Sequence, residues 1–128
     1  MLSRTTTVFL LFAAASGAIA QTTYTFTTFS VPNSTYTDAI AINEEGAVTG
    51  YFGVQATGLS QGFLRSASGK ITILSYPGQS ATFTGGINDF GVIAGSYGTS
   101  TVGGFLYRNG HYQNVLVKGQ PAPLRLRQ

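Results

Sequence analysis

Hydrophobic and polar residues alternate with a period of two along most of this 128-residue chain. In the stretch KITILSY, Ile71 and Ile73 lie on one side of an extended backbone, whereas Thr72, Leu74 and Tyr76 lie on the other. Successive strand residues point to opposite faces of a sheet, so this strand carries apolar residues on both faces. The pattern predicts short β-strands that are covered to some degree on both sides, and it shows no helical spacing after residue 20.

The strand pattern occurs twice. AINEEGAVTGYF at 41–52 returns as GINDFGVIAGSY at 86–97, an offset of 45 residues. GFLR at 62–65 returns as GFLY at 104–107, an offset of 42. Self-similarity of this kind identifies a repeat, and repeated residues recur for packing or turn reasons. The recurring residues are Ile42, Asn43, Gly46, Gly50 and Phe63 in the first copy and Ile87, Asn88, Gly91, Gly95 and Phe105 in the second.

Each copy contains the chemistry of two hairpin turns. An Asn-x-x-Gly stretch bends the chain at Asn43 and Gly46, because asparagine hydrogen-bonds nearby backbone and glycine adopts positive φ without steric cost. A second bend follows at Gly69 in the first copy and at 109–110, Asn-Gly, in the second. Two hairpins give four antiparallel strands per unit, which is typical of a propeller blade of about 40 to 50 residues.

The predicted fold is therefore all-β, with antiparallel hairpin repeats that resemble two blades of a β-propeller. The repeat domain covers 21–119, with repeat 1 at 34–78 and repeat 2 at 79–119. A lone strand at 24–33 is expected to copy the last strand of a unit. Because a propeller closes with about four to eight blades, two units predict an incomplete propeller.

Within the repeats, the large apolar residues are expected to form the core between the blades. Four recurring positions are assigned to this core, two in each copy. They are Phe63, Phe105, Ile42 and Ile87.

The first residues have the features of a secretory signal peptide. Arg4 supplies a positive charge, 8–15 is an apolar run, and Ala18 and Ala20 form a small-x-small cleavage site. The apolar run is shorter than the roughly 20 residues that a bilayer span needs. We therefore predict a signal peptide at 1–20 and a secreted protein, extracellular or periplasmic, that leaves the membrane after cleavage.

The repeat pattern gives way to different chemistry at the C-terminus. Residues 120–128 read QPAPLRLRQ, a basic segment whose two prolines oppose strand pairing. Either this is a genuine basic tail or the chain is a truncated fragment of a longer repeat protein. Two isolated blades would leave unpaired strands, which predicts self-association through open sheet edges.

Charged and chemically reactive residues limit the classes of function that the sequence can support. Lys plus Arg number seven and Asp plus Glu four, and no cationic cluster interleaves with aromatic residues, so no nucleic-acid partner is predicted. There is no cysteine, and the single histidine, His111, is expected in a turn. Without a nucleophile and base, or two carboxylates across a bond, no catalytic residue is predicted.

The recurring turns contain the few acidic candidates for a metal site. Asn43 and Glu44 are echoed by Asn88 and Asp89, and turn oxygens suit Ca²⁺. Calcium takes about six to eight oxygen ligands, far more than these turns supply. The four residues are therefore weak candidates, and no cofactor is expected.

The two copies resemble the HAF family of extracellular repeats, whose units carry a Gly-Ile-Asn-x-x-Gly-x-Val-x-Gly stretch followed by His-Ala-Phe. The first motif matches at 41–50 and 86–95, while the tripeptide falls on Gln-Gly-Phe at 61–63 and Gly-Gly-Phe at 103–105, so only Phe is kept. The resemblance covers 24–119. It implies a secreted, propeller-like bacterial protein and implies no activity.

Two functions follow as alternatives. The first is a binding or structural module, not an enzyme, whose loops at 54–62 and 98–103 contact an unknown extracellular ligand or protein. The second is a secreted glycan-active enzyme on a propeller scaffold. Convergent carboxylates or a metal cluster would favour the enzyme, and the sequence shows neither.

Overall fold

The computed structural model describes residues 21–116. Their eight strands form two four-stranded antiparallel sheets, in which each strand pairs with the next along the chain. This confirms the all-β prediction. The first sheet consists of β1 (Ser34–Ile42), β2 (Val48–Val54), β3 (Ser60–Arg65) and β4 (Ile71–Leu74). The second consists of β5 (Thr82–Ile87), β6 (Ile93–Tyr97), β7 (Gly103–Arg108) and β8 (His111–Val115).

The hairpin turns lie where the sequence predicts them. Gly46 and Gly91 have φ values of 79° and 74°, in the left-handed region that glycine enters freely. Asn109 and Gly110 connect β7 to β8 with φ values of 49° and 86°. Two consecutive positive φ values are the signature of a type I′ turn, whose twist matches that of the flanking strands.

The two sheets share a core built from facing side chains. Leu74 of the first sheet packs with Ile93 and Phe105 of the second, and all three are at most 1% exposed. Tyr76, just after β4, stacks on Tyr97 with ring centroids 3.9 Å apart. Buried apolar surface of this kind is the main stabilising contribution to a small domain without disulfides.

A second core lies on the opposite face of the first sheet. Phe52 and Phe63 are buried there together with Val31, which precedes β1. Phe29 packs edge-to-face on Phe63, with ring centroids 5.8 Å apart. The Arg65 guanidinium lies 4.8 Å from the centre of the Phe29 ring, a cation–π arrangement. The segment before β1 is thus part of the fold.

The predicted lone strand at 24–33 is wrong. Residues 21–33 contain no strand, and 32–33 form a turn. The equivalent strand β4 exists because β3 supplies its ladder partner, whereas no strand of the described residues lies alongside 24–33. A strand without such a partner leaves its backbone groups to solvent.

The segment nevertheless repeats the contacts of its later counterpart. The Val31 backbone N–H donates to Thr37 Oγ1 at 3.0 Å, and 45 residues later the Tyr76 N–H donates to Thr82 Oγ1 at 2.8 Å. The chain turns with positive φ at Asn33, as it does at the equivalent glycine of the second repeat. Each unit is therefore preceded by a segment that covers its buried phenylalanine, and we call 24–33 the covering segment of the first unit. Such a segment forms a strand only when another strand pairs with it.

The assignment of Ile42 to the core between the sheets is also wrong. Ile42 is 68% exposed, because it pairs with Val48 on the face turned away from the second sheet. Ile87 and Phe105 lie in the shared core as predicted. Phe63 is buried, but in the second core on the face turned away from the second sheet, so its assignment to the core between the sheets is wrong as well.

One buried hydroxyl connects the two units, and a second lies within the first sheet. Thr84 donates from Oγ1 to the Gly50 carbonyl of the first sheet, and Thr49 Oγ1 donates to the Phe63 carbonyl at 2.8 Å. Both threonines are at most 1% exposed. A buried hydroxyl without a partner is costly, so the Thr84 bond restricts how the two sheets can pack.

The predicted signal peptide at 1–20 and the basic tail at 120–128 lie outside the described residues. Within 21–116, no helix has the length and hydrophobicity that crossing a bilayer requires.

Candidate functional site

The two Asn-x-x-Gly turns have the same internal geometry. Asn43 Oδ1 accepts the Ala47 backbone N–H at 2.8 Å, and Asn88 Oδ1 accepts the Val92 N–H at 2.9 Å. In both turns the glycine N–H donates to the asparagine carbonyl at 3.0 Å. Each asparagine side chain therefore closes its own hairpin, which explains its recurrence.

The two turns also contact one another across the sheets. Asn43 Nδ2 donates to the Asn88 carbonyl at 3.2 Å. The Glu44 backbone N–H donates to Asp89 Oδ1 at 2.9 Å. The offset of 45 residues thus brings equivalent turns into contact, and we call Asn43, Glu44, Asn88 and Asp89 the paired turns.

The paired turns contain the weak candidates for a metal site, and the structure gives other partners to side-chain oxygens of three of the four residues. The side-chain oxygens of Asn43 and Asn88 accept backbone N–H groups, as does one oxygen of Asp89. Among residues 21–116 no group of three or more His, Cys, Asp or Glu side chains could hold a metal ion. The geometry supports a contact between units at this position.

The recurring glycines of the strands allow close approach. A Cβ at Gly50 would collide with the Asp38 carbonyl oxygen, and one at Gly95 would collide with the Phe83 carbonyl and the Phe105 ring. Both positions are therefore structural. His111 is exposed at the start of β8, next to the turn in which it was expected.

An open groove of about 380 Å³ lies where the first two strands of each sheet meet. Its aromatic wall is formed by Tyr51 and Phe83, which contact edge-to-face with ring centroids 5.3 Å apart. Outside the lining, Tyr36 contacts Tyr51 edge-to-face at 6.4 Å. The groove is lined by Ile40, Tyr51, Phe83, Thr84, Gly85, Gly86, Ala94, Gly95 and Ser96, none of which is ionisable apart from the tyrosine.

The repeat comparison missed this groove, because its two aromatic residues are not repeated. Strand register makes Ser96 the equivalent of Tyr51, and Asp38 the equivalent of Phe83. Recurring residues report on packing, so residues that differ between copies are the ones free to serve a ligand. Tyr51 and Phe83 each replace a polar residue of the other repeat and lie next to one another in the fold. These two differences between the repeats were the feature of the sequence that could have indicated the groove.

The predicted binding loops are shorter than expected. β2 ends at Val54 and β3 begins at Ser60, so the first loop covers only 55–59, and the second covers 98–102. Neither loop lines the groove.

Comparisons with known proteins give no relative: no family model, no curated protein and no solved structure matches the chain. The resemblance to the HAF repeats stays a prediction from the motifs.

Proposed function

We propose that this protein is an exported binding module built from two propeller-like β-units, with its ligand in the groove between them. The observation that carries the proposal is the edge-to-face pair of Tyr51 and Phe83, one from each sheet, at the wall of that groove. Small-molecule sites are typically concave, apolar and aromatic, with a few polar groups that orient the ligand.

The propeller-like interpretation of the units has two supports. Each unit is a four-stranded antiparallel meander, and the two meanders pack face to face through a shared core. Blades of a propeller pack in this way around an axis. Equivalent turns meet at a constant offset, as they would in a ring of similar units. The motif resemblance to HAF repeats agrees with this interpretation.

Export is proposed from the N-terminal sequence, whose Arg4, apolar run and small-x-small site are the parts of a signal peptide. An extracellular or periplasmic location suits a binding module whose ligand comes from outside the cell.

Binding is favoured over glycan hydrolysis by the placement of the acids. Among residues 21–116, no carboxylate lines the groove. Asp89 accepts the Glu44 N–H in the paired turns, where its oxygen stabilises the contact between units. A glycosidase would need two carboxyl groups about 5 to 10 Å apart across the scissile bond.

The lining of the groove selects an uncharged ligand with an apolar face and hydroxyl groups. Tyr51 and Phe83 offer aromatic surface, and Ser96 offers a hydroxyl group, whereas the buried Thr84 hydroxyl already donates to the Gly50 carbonyl. A neutral sugar ring combines these two properties, so the proposed ligand class is a neutral oligosaccharide. Because no charged group is involved, binding should change little between low and high salt.

A neutral-glycan array and the Phe83→Ala variant test the proposal. We expect the wild-type chain to bind at least one neutral oligosaccharide and Phe83→Ala to bind about tenfold or more weakly, since one lost aromatic contact accounts for about 1.4 kcal/mol. Phe90→Ala is the matched control, because Phe90 is 80% exposed and lies outside the groove. Equal binding by both variants, or none by the wild type, would reject the groove as the site.

A further inference from the structure

The groove opens onto one face of the second sheet. Strand register places one residue from each strand, β5 to β8, in a line across this sheet, and we call the line the cross-strand row: Phe83, Ser96, Gly104 and Val115. Residues directly opposite one another in antiparallel strands lie on the same face, so all four share it. Phe83 and Ser96 line the groove. The other two residues extend the same line beyond it.

A glycine near the middle of the cross-strand row leaves a trough. A Cβ at Gly104 would meet nothing closer than the Val115 Cβ at 3.7 Å and the Gly95 carbonyl oxygen at 3.8 Å. Among residues 21–116, therefore, no side chain from the first sheet fills the space above Gly104. The trough continues from Ser96 towards Val115 without an obstruction.

Exposed apolar side chains flank the trough. Val115 is 44% exposed. Leu106, which pairs with the lining residue Ala94, is 36% exposed. Gln113 pairs with Leu106 and is exposed, and its side-chain amide has no hydrogen-bond partner within 21–116. Apolar surface of this kind, bordered by polar groups and continuous with a groove, is typical of a binding surface.

The equivalent row of the first sheet shows what such a trough holds. It consists of Asp38, Tyr51, Gly62 and Leu74. A Cβ at Gly62 would lie 2.7 Å from the Thr84 methyl, so this methyl fills the space above the glycine. The Thr84 hydroxyl donates to the Gly50 carbonyl. The trough of the first sheet therefore holds a small aliphatic group with a hydroxyl beside it.

The second sheet has the same acceptor next to its open trough. Gly50 pairs with Phe63 and Gly95 with Phe105, so the two glycine carbonyls are equivalent. Gly95 lines the groove, and its carbonyl oxygen faces the space above Gly104. A carbonyl oxygen has two lone pairs, so it can accept a second hydrogen bond beside a ladder bond. A ligand hydroxyl above Gly104 can therefore bind as the Thr84 hydroxyl binds in the first sheet.

We propose that the ligand of the groove is a linear neutral oligosaccharide of about three rings or more, which lies along the cross-strand row from Phe83 to Val115. This inference rests on the proposed function and adds the length and direction of the ligand. Neighbouring strands are about 4.8 Å apart, so the row spans about 14 Å. A sugar ring is about as wide as one strand spacing, so one ring at Phe83 leaves Gly104 and Val115 uncovered.

Each part of the row binds a different part of the ligand. Phe83 packs on the apolar face of the first ring. The ring above Gly104 donates a hydroxyl to the Gly95 carbonyl. Val115 and Leu106 cover the apolar face of the last ring, where the Gln113 amide, which can donate and accept, binds its hydroxyls.

Calorimetric titration with oligosaccharides of graded length tests the proposal. The probes are unbranched homopolymers of glucose, mannose, galactose and N-acetylglucosamine, from one ring to six, added to the full chain. For at least one homopolymer, affinity should rise about tenfold or more from one ring to three, because each added ring buries further apolar surface. It should then level off, because the row ends at Val115.

The outcomes separate this inference from the proposed function. Equal affinity at every length would overturn the inference and leave the groove as a site for a single ring. A rise that continues to six rings would overturn the row as the whole site. No binding of any homopolymer would reject the proposed function and the inference with it.

Variants of the trough test the position of the longer ligand. Gly104→Leu fills the trough, so the ratio of three-ring to one-ring affinity should fall from about ten to near one. Ser100→Leu, at an exposed loop position outside the row, is the matched control and should keep the wild-type ratio. Phe83→Ala should instead weaken the binding of every length.

A second variant covers the case in which Gly104→Leu does not fold, which circular dichroism shows. Val115→Ser changes a half-exposed residue and should lower the same ratio by about threefold. Folded Gly104→Leu with the wild-type ratio, or a wild-type ratio in Val115→Ser, would overturn the proposed path of the ligand.

Discussion

The two sheets contain the same repeat in different surroundings. In the second sheet, Phe105 is packed against Leu74, the last residue of β4, and against Tyr76, which follows it. In the first sheet, Phe63 is packed against Phe29, which belongs to no strand. The same hydrogen bond to a threonine hydroxyl follows in both cases. The unit is therefore defined by a covered phenylalanine, and the cover can be a strand or an irregular segment.

The strand that covers Phe105 should contribute more to the free energy of unfolding than the irregular segment that covers Phe63. Leu74→Ala should lower the free energy of unfolding by about 2 to 5 kcal/mol, because it leaves a cavity between the sheets. Phe29 is the equivalent residue by the offset of 45 and is only half-buried. Phe29→Ala should cost less, about 1 to 2 kcal/mol. Urea denaturation measures both, and the reverse order would show that the irregular segment is the more important cover.

Gly62 in β3 and Gly104 in β7 are equivalent glycines that allow the two sheets to be compared directly. A Cβ at Gly62 would come 2.7 Å from the Thr84 methyl, whereas the nearest atom to one at Gly104 lies at 3.7 Å. Gly62→Ala should therefore destabilise the protein by about 1 to 3 kcal/mol through overpacking. Gly104→Ala should change stability by about 0.5 kcal/mol or less. Equal thermal midpoints for the two variants would contradict the packing of the first sheet on the second at Gly62.

Glu44 and Asp89 occupy equivalent positions of the repeat but have different roles in the paired turns. Asp89 accepts a backbone N–H from the other unit, and Glu44 contributes its backbone to that bond and not its carboxylate. Asp89→Ala should cost about 1 kcal/mol, while Glu44→Ala should stay within about 0.5 kcal/mol. The two chemical-denaturation midpoints give the answer. A larger loss for Glu44→Ala would reverse the roles of the two turns.

The smallest expected effect is a pH dependence that arises from Tyr112 in the second unit. Burial, and then the neighbouring Tyr107, raise the pKa of Tyr112 above its usual value of about 10, against a hydrogen bond from the Ser75 backbone. Because the folded-state pKa is the higher one, stability from the neutral phenol is present below pH 10 and is lost as pH rises through the folded pKa. Urea midpoints should therefore fall above pH 10, and Tyr112→Phe should flatten that slope. Equal slopes for both proteins would remove Tyr112 as the cause.

Local features of this fold could be predicted from the sequence. The turns at Gly46 and Gly91 form because asparagine side chains and glycine backbones act within five residues. Two four-stranded units follow from these turns and from the period of two between them.

Features that depend on neighbours could not be predicted. Whether 24–33 becomes a strand depends on a ladder partner, and whether Ile42 is buried depends on which unit covers its face. The groove depends on Tyr51 and Phe83 meeting across the sheets, although they lie at unlike positions of the repeat. Sequence periodicity contains no information about such contacts between units.

Stacking of the first sheet on the second is tested most directly by nuclear Overhauser effects in a labelled sample. Gly62 Hα should show a cross peak to the Thr84 methyl, and the Tyr76 ring should show cross peaks to the Tyr97 ring, whose centroid lies 3.9 Å away. Cross peaks within each sheet, combined with the absence of both of these, would show two sheets that do not stack and would contradict the account.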